Sequence, residues 1–356
     1  MKILITGICG FVGSVIAITL KLRRTEVAIW GLDNLIRQGS ETNRLKLKKA
    51  GIKVIHGDVR LESDFELLPD VDWVIDTAAN ASVLAGVDGK TSSRQLVQHN
   101  LQGTLNILEY CRSRKAGLIL LSTSRVFSIR ELNAIPVAVK ENAFVFDEIA
   151  PCPPGVTALG VQEGFSTVPP LSLYGSTKLA SEGMALEYSE TFAFPLWVNR
   201  CGVLTGAGQM GTAEQGLFSY WLHAHAGRYP LRFIGYEGRG FQVRDAFHPE
   251  DLALLLDAQM SYSGNADGRV FNVGGGRANS MSLAQLSSWC DDRFGKHPVA
   301  GDLTPRQFDI PWLVMDSSRV RSQFSWSPRK NLSQILEEIA VHARENPAWL
   351  QLTGAI

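Results

Sequence analysis

Lys2-Ile-Leu-Ile-Thr-Gly7-Ile-Cys-Gly10-Phe-Val-Gly13 stands near the start of the chain and joins an apolar run to regularly spaced glycines. Lys2–Thr6 predicts a buried strand, and a helical pattern over Ser14–Leu22 follows. Glycines here let the backbone turn tightly, and the free N–H groups of a helix N-terminus attract an anion. The glycine spacing alone fits a simple turn equally well, but strand and helix on either side favour a site for a dinucleotide pyrophosphate.

The first half of the chain repeats this alternation of short β-branched runs and longer amphipathic stretches, which is typical of β-α-β units in a parallel sheet. Further strands are predicted at Val27–Leu32, Val54–Gly57, Trp73–Thr77 and Leu118–Ser122, and helices at Ser92–Arg112 and Leu173–Thr191. We therefore predict an α/β fold, a Rossmann-type doubly wound parallel sheet formed by residues 1–200. Residues 201–356 would form a smaller mixed, mainly substrate-binding domain, with some segments returning to the Rossmann core.

Two features lie outside this alternation. Between Val126 and Pro170 the periodicity disappears and prolines accumulate, which predicts either a functional loop or a disordered one. Farther on, Ser282-Leu-Ala-Gln285 has the pattern of a helix capping box, and another helix is predicted at Leu332–Glu345.

Composition narrows the classes of function. The 356 residues are 45% apolar and carry 35 basic and 35 acidic side chains, so the net charge predicts neither a nucleic acid nor a membrane as partner. Without a signal-peptide pattern or an apolar run of about 18 residues, we expect a cytoplasmic protein. The five cysteines are far apart in sequence, which predicts free thiols. His223 and His225 are two residues apart on a helical stretch, so their side chains point in different directions and no metal site is predicted.

Asp33 follows the second predicted strand, where a carboxylate can accept from both hydroxyls of an adenosine ribose. Such an acid repels a 2′-phosphate, so NAD is favoured over NADP, although nearby Arg37 leaves NADP open. Asp58, after the third strand, is interpreted either as a contact to the adenine amino group or as an ordinary turn aspartate.

A second motif concerns acid–base chemistry. Tyr174 and Lys178 are four residues apart in a helical pattern and project from one face. A cation beside a phenol lowers its pKa and makes tyrosine a usable base, although this pair also occurs by chance on solvated helices. Ser122-Thr123-Ser124 adds hydroxyl groups at the carboxyl end of a strand, where α/β sheets bind their ligands.

With these motifs the chain resembles the extended short-chain dehydrogenase/reductase superfamily over nearly its whole length. The motifs are Thr6–Gly13, Asp33-Asn34, Gly57-Asp58-Val59-Arg60, Asn100-Leu-Gln-Gly103-Thr104, Ser122-Thr123-Ser124, Tyr174 to Lys178, and Arg244-Asp245 with His248. Within the superfamily, Leu32–Gly39, Ser122–Val126, Glu214–Gly216, Gly238–Asp245 and Trp326–Pro328 are most similar to the CDP-tyvelose (CDP-paratose) 2-epimerases.

The resemblance implies roles for individual residues. Thr123 would hydrogen-bond the reacting hydroxyl, Tyr174 would take its proton, and Lys178 would bind the nicotinamide ribose and lower the tyrosine pKa. The implied cofactor contacts are Gly7, Gly10, Phe11, Val12, Gly13, Asp33, Asn34, Arg37, Asp58, Val59, Ala78, Asn100 and Lys178. The implied substrate contacts are Ser124, Gln215, Gln242, Arg244, which would bind the diphosphate, and Arg306. His248 and Asp251 are interpreted as a helix cap region rather than as ligands.

The implied activity is NAD-dependent epimerisation of a nucleotide diphosphate sugar through a ketosugar intermediate. A 4-epimerase, a dehydratase or a reductase are the alternatives. Dehydration is disfavoured because Ser124-Arg125 stands where those enzymes carry an Asp-Glu pair. A non-catalytic NAD-binding module is the alternative from another functional class.

After Arg200 the chain departs from many relatives, because it lacks the substrate-binding asparagine that they carry there. We also expect a homo-oligomer, a dimer or a tetramer.

Overall fold

The structure is a computed structural model and describes residues 1–89, 91–264, 266 and 268–356. The strands are β1 (Lys2–Thr6), β2 (Ala28–Asp33), β3 (Lys53–His56), β4 (Trp73–Asp76), β5 (Gly117–Thr123), β6 (Val137–Lys140), β7 (Ala143–Phe146), β8 (Val156–Thr157), β9 (Gly160–Val161), β10 (Leu196–Cys201), β11 (Val203–Leu204), β12 (Leu231–Ile234), β13 (Val243–Phe247), β14 (Val270–Val273), β15 (Ser280–Ser282), β16 (Val299–Asp302) and β17 (Trp312–Leu313).

The helices are α1 (Phe11–Arg23), α2 (Thr42–Lys49), α3 (Ser63–Glu66), α4 (Ser93–Val97), α5 (Gly103–Arg114), α6 (Ile129–Asn133), α7 (Leu173–Phe192), α8 (Leu217–Ala226), α9 (Pro249–Met260), α10 (Leu283–Phe294), α11 (Ser318–Phe324), α12 (Leu332–Glu345) and α13 (Trp349–Leu352). Short 3-10 turns lie at Ser124–Val126, Tyr236–Gly238 and Arg277–Asn279, and a π-helix at Gln98–Gln102. Among the described residues, no helix has the length and apolar character needed to cross a bilayer.

Within the described residues, a seven-stranded parallel sheet runs in the order β14-β10-β5-β4-β1-β2-β3. Helices α1 and α9 cover one face, and α5 and α7 cover the other. Strand order reverses between β1 and β4, the point where sheets of this type bind ligands at the carboxyl ends of the strands. The predicted doubly wound parallel sheet is confirmed.

The strands predicted in the first half match β1 to β5 within a few residues. β10 and β14, which extend the sheet on one side, were not among them. β10 pairs with β5, and β14 pairs with β10. Both strands are short, and their place in the sheet depends on partners that are distant in sequence. β14 and α9 come from the C-terminal part and join the main sheet and its covering helices.

The predicted helix Ser92–Arg112 is interrupted. α4 ends at Val97, the chain passes through the π-helix Gln98–Gln102, and α5 then begins at Gly103. π-bulges of this kind are often found at functional sites. The other helix predictions hold: α7 covers Leu173–Thr191, α12 matches Leu332–Glu345, and Ser282 and Gln285 form the predicted capping box.

The segment Val126–Pro170 is ordered, so its interpretation as a disordered loop is wrong. It contains α6 and two antiparallel hairpins, β6–β7 and β8–β9. Its apolar side chains Phe127, Phe146 and Phe165 pack with Trp312 and Met315 from the end of the chain. These contacts are far apart in sequence, which is why periodicity did not reveal them.

The C-terminal part contains a small mixed sheet in which β13 pairs with β11, β15 and β17. Helices α8, α10 and α12 pack together beside it. His248 caps α9 by accepting a hydrogen bond from the Glu250 backbone N–H, as predicted for that turn. From this part of the chain, the Phe308 carbonyl accepts a hydrogen bond at 3.4 Å from Arg125, which lies just after β5.

Candidate active site

The turn between β1 and α1 brings backbone groups very close together. Gly7 has a φ of +64° and donates its N–H to the Leu32 carbonyl at 2.8 Å. A Cβ at Gly7 would lie 2.9 Å from the Ala78 Cα, and one at Gly13 would lie 2.5 Å from the Gly7 oxygen. Helix α1 begins without a side-chain cap at Gly10, which leaves its first N–H groups available to an anion.

A cavity of about 520 Å³ opens at this turn. Its walls include these predicted site residues: Gly7, Gly10, Phe11, Val12, Gly13, Asp33, Asn34, Arg37, Val59, Ala78 and Gln215. Asn80, His99, Gln209, Met210, Thr212 and Glu214 also line it and were not predicted. Most of the additional residues come from the segment after β11, whose approach to the glycine turn has no local sequence signal. A cavity that is lined by the glycine turn and by Asp33 fits a dinucleotide.

Acidic side chains lie along the rim formed by β2 and β3. The Asp33 carboxylate accepts from the backbone N–H groups of Cys9 and Leu35, each at 2.8 Å, and burial raises its pKa above the ordinary value. Asp33 therefore both orders the glycine turn and borders the cavity. Asp58 is held by Arg60 and by the Asn34 amide at 2.9 Å. Arg37 donates to the Met210 carbonyl, so its guanidinium joins the two walls of the cavity.

Asp33→Ala is expected to weaken NAD binding about tenfold to hundredfold, because a hydrogen bond to a charged group contributes roughly 1.5–3 kcal/mol. It should also relax discrimination against NADP, since the repulsion toward a 2′-phosphate disappears. Isothermal titration with both dinucleotides measures the two effects. Asp70→Ala is the control, because that side chain is exposed and pairs only with Arg114 at the surface. An unchanged NAD/NADP preference would show that a group other than Asp33 recognises the adenosine ribose.

Thr123 and Tyr174 meet at the carboxyl edge of the main sheet. Thr123 ends β5, and Tyr174 lies in the first turn of α7, whose start is capped by the Ser172 hydroxyl accepting from Gly175 N–H at 3.0 Å. Both side chains are buried, at 8% and 7% exposure, and the Thr123 hydroxyl lies close enough to the Tyr174 phenol to act on its pKa. Ser124 follows, buried, at the start of the 3-10 turn.

The electrostatics of the phenol differ from the expectation. Burial raises the pKa of Tyr174 to about 12, while the Thr123 hydrogen bond and the nearby Arg125 act in the opposite direction. The ammonium of Lys178 acts instead on Asp76 and Cys201, where burial raises the pKa and the ammonium opposes that rise. In the protein alone, the charge that favours the phenolate therefore comes from Arg125, a residue to which the sequence assigned no such role.

Lys178 is buried, with 2% of its surface exposed, one turn after Tyr174 on α7. Its ammonium forms no hydrogen bond or ion pair with any residue in the part of the chain that the structure describes. A buried cation without a partner is costly, so a polar ligand at this position would stabilise it. Hydroxyl groups of a ribose fit that requirement.

Asn100 lies in the π-helix and connects two segments of the site. Its side-chain oxygen accepts from the Asn80 N–H at 2.9 Å, and its amide donates to the Asn80 carbonyl and to the Thr177 hydroxyl, both at 3.1 Å. Asn100 thereby fixes α7 against the loop after β4. In this structure it is a support for the site rather than a wall of the cavity.

Beyond Tyr174 lies a cluster of charged side chains that we call the arginine cluster: Arg125, Arg244, Arg306 and Asp309. Arg244 is 3.6 Å from Asp309 and donates to the Ile310 carbonyl at 2.9 Å. Arg306 donates to the Ala213 carbonyl at 3.0 Å. Gln242 donates to Asp309 at 2.9 Å, and its own oxygen is buried without a hydrogen-bond partner among the described residues. The cluster is net positive and suits an anionic ligand.

Arg125 and Asp309 were not predicted as site residues. The arginine follows Thr123 by two positions, and this proximity was an available signal. Asp309 lies in a stretch without a motif and reaches the site only through the fold.

The match to a protein-family model decides the family. The model described as "NAD dependent epimerase/dehydratase family" covers residues 3–274. The chain belongs to this family. Membership in the NAD-dependent epimerase/dehydratase family confirms the predicted superfamily and supports NAD as the cofactor predicted from the glycine turn and Asp33.

Relatives of this epimerase/dehydratase chain act on nucleotide-linked sugars. It is 26% identical to the CDP-paratose 2-epimerase of Salmonella typhi over 345 residues, 92% of this chain and 95% of that protein. It is 25% identical to UDP-glucuronate 4-epimerase 2 of Arabidopsis thaliana, over 95% of this chain and 74% of that protein. The UDP-glucuronic acid 4-epimerase of Bacillus cereus, solved with UDP-glucuronic acid and NAD, has the same fold, with a TM-score of 0.79, 24% identity, and coverage of 97% of this chain and 99% of that chain.

Proposed function

We propose that the protein is an NAD-dependent epimerase of a nucleotide diphosphate sugar and that it works through a bound ketosugar. The observation that carries the proposal is that the buried Tyr174 lies beside Thr123, at the carboxyl end of β5, and beside Arg125 of the arginine cluster. A sugar whose diphosphate binds Arg244 can reach Tyr174 from that cluster. Residues of the glycine turn and Asp33 would hold NAD in the dinucleotide cavity.

Residues of the chain would carry the proton and orient the substrate. Thr123 hydrogen-bonds the sugar hydroxyl, and the Tyr174 phenolate accepts its proton as the C–O bond becomes a carbonyl. When bound, NAD would supply the acceptor and donor of the hydride at that carbon, and inversion requires that the hydride return to the opposite face. Tyr174 then gives the proton back to the new alkoxide. Arg125 is the cation that favours the phenolate against the effect of burial, and Lys178 would hold the nicotinamide ribose.

Dehydration is the weaker proposal. It requires an acid and a base beside the catalytic threonine to remove a further proton and a hydroxyl. Ser124 and Arg125 occupy those positions, and a guanidinium does not release a proton near neutral pH. Retention of Thr123, Tyr174 and Lys178 likewise argues against a non-catalytic NAD-binding module.

The names of the relatives give the substrates to test first. Likeness to the Salmonella typhi protein favours inversion at C2 of CDP-paratose. Likeness to the plant proteins makes C4 of UDP-glucuronate the second candidate, and the positive charge of Arg125 near Tyr174 favours it.

The test is the fate of a label at the inverted carbon. CDP-paratose deuterated at C2 and UDP-glucuronate deuterated at C4 are each incubated with the NAD-loaded protein, and NMR follows the products. We expect the epimer to keep its deuterium, because hydride leaves and returns within one closed site.

Two outcomes would refute the proposed mechanism. Exchange of the label with solvent would indicate deprotonation and reprotonation of carbon, and conversion of added UDP-glucose, which carries a C6 hydroxyl, to a 4-keto-6-deoxy product would indicate dehydration. Repeating the reaction in deuterated water with unlabelled substrate is the matched control, since hydride return admits no solvent deuterium at that carbon.

A further inference from the structure

Arg125 is a cation without a counter-ion. It is partly buried and forms no salt bridge with any carboxylate in the described part of the chain. Within the part of the chain that the structure describes, its guanidinium makes a single hydrogen bond, to the Phe308 carbonyl at 3.4 Å, near the upper limit for such a bond. Burial and the neighbouring Arg244 and Arg306 lower the pKa of Arg125 to about 9, so the fold does little to compensate its charge.

The nearest acid is already engaged. Asp309 contacts Arg244 at 3.6 Å and accepts from Gln242 at 2.9 Å. It acts on Arg125 only at longer range. A desolvated guanidinium in this position is unfavourable unless a ligand supplies the missing negative charge.

The position of Arg125 indicates which part of a ligand it meets. Its backbone N–H donates to the Thr123 hydroxyl at 3.1 Å, and its carbonyl packs against Gly175, directly after Tyr174. Of the cluster's arginines, it is the one whose charge acts on the Tyr174 phenol. If the diphosphate binds at Arg244 and the reacting hydroxyl at Tyr174, the sugar ring spans the space between them, and Arg125 borders that ring.

We propose that Arg125 receives a carboxylate on the sugar, so that the substrate is a nucleotide diphosphate sugar acid. A planar guanidinium matches a carboxylate in a bidentate pair, whereas a hydroxyl group would leave its charge uncompensated. The assignment rests on the proposed function for the presence of a nucleotide sugar and adds the class of that sugar. It selects UDP-glucuronate over CDP-paratose, whose ring carries no acid.

The experiment compares ligands that differ only in the acid. Glucuronate and glucose, each linked to uridine diphosphate and to cytidine diphosphate, are titrated into the NAD-loaded protein by calorimetry. For the better nucleotide, we expect the glucuronate form to bind about a hundredfold more tightly, because the neutral form leaves a buried charge unpaired. Arg125→Gln should reduce this ratio to within about threefold of unity, and Arg125→Lys should keep part of it.

Arg130→Gln is the matched control, because this neighbouring arginine is exposed and pairs only with Glu131 at the surface. Thermal unfolding checks that each variant is folded. Equal affinity of the wild type for the acidic and neutral sugars would overturn the carboxylate assignment while leaving the proposed function in place. Equal weakening of both sugars by Arg125→Gln would also overturn it and assign Arg125 to the diphosphate.

A third result would show that Arg125 acts on the acid–base chemistry of Tyr174 and does not bind a carboxylate. If Arg125→Gln leaves the preference intact but moves the pH profile of turnover upward equally for both sugars, Arg125 serves Tyr174 and the assignment fails. Failure of every sugar to bind or to be turned over would instead refute the proposed function itself.

Discussion

Tyr174→Phe is expected to lower kcat about a thousandfold while NAD binding stays within about twofold of the wild type. Loss of a positioned general base typically costs 10²–10⁴ in rate. The ring still fills the buried position against Thr123, so the fold and the dinucleotide cavity keep their shape. Turnover is measured by NMR on the epimerised sugar, and NAD affinity by isothermal titration.

Tyr188→Phe is the matched control for that variant. Tyr188 lies on the same helix α7, and its hydroxyl donates to Glu109 at 2.8 Å, away from the site. Removing this hydroxyl should leave turnover unchanged. Near wild-type activity in Tyr174→Phe would remove the tyrosine from the mechanism.

Glu182→Gln is expected to destabilise the protein by about 3–5 kcal/mol, the usual cost of breaking a buried ion pair from one side. Arg200 donates to Glu182 at 2.7 Å from Nη2 and at 3.0 Å from Nε, and the side chains are only 10% and 3% exposed. The isosteric amide keeps the volume but leaves the Arg200 charge without its counter-ion. Chemical denaturation measures the loss.

Two further variants test the cause. Glu182→Gln combined with Arg200→Met removes both charges and should recover part of the stability, because no unpaired ion remains. Glu337→Gln is the surface control. The side chains of Glu337 and Arg293 are 40% and 46% exposed, and their ion pair should contribute no more than about 1 kcal/mol to the free energy of unfolding. Equal losses in Glu182→Gln and Glu337→Gln would contradict the assignment of a buried pair.

The same pair bears on activity. Glu182 lies one turn beyond Lys178 on α7, and Arg200 lies on β10, so their contact ties the helix that carries Tyr174 to the main sheet. Ser122, next to Thr123, also donates to Glu182. A shift of α7 would move Tyr174 away from Thr123, and in the Glu182→Gln variant we therefore expect activity and stability to fall together.

Local patterns were sufficient for the elements and for part of the site. A strand, a helix or a capping box depends on residues within a few positions of one another, so β1, α7, α12 and the Ser282 capping box were predicted from their own residues. The four-residue spacing of Tyr174 and Lys178 and the glycines after β1 are equally local. Their chemistry was therefore visible before any tertiary contact was known.

The remaining features were decided by tertiary structure. The arginine cluster brings together Arg125, Arg244 and Asp309, which are far apart in sequence. No repeat or spacing in the sequence predicts that these side chains lie close together. The same is true of the cavity wall around Met210, of the pairing between Glu182 and Arg200, and of the packing of Phe127 and Phe146 on Trp312. Whether a buried charge has a partner depends on the folded neighbours on every side. For that reason Tyr174 could be predicted as a base from the sequence, whereas only the fold revealed that Arg125 beside it has no ion-pair partner among the described residues.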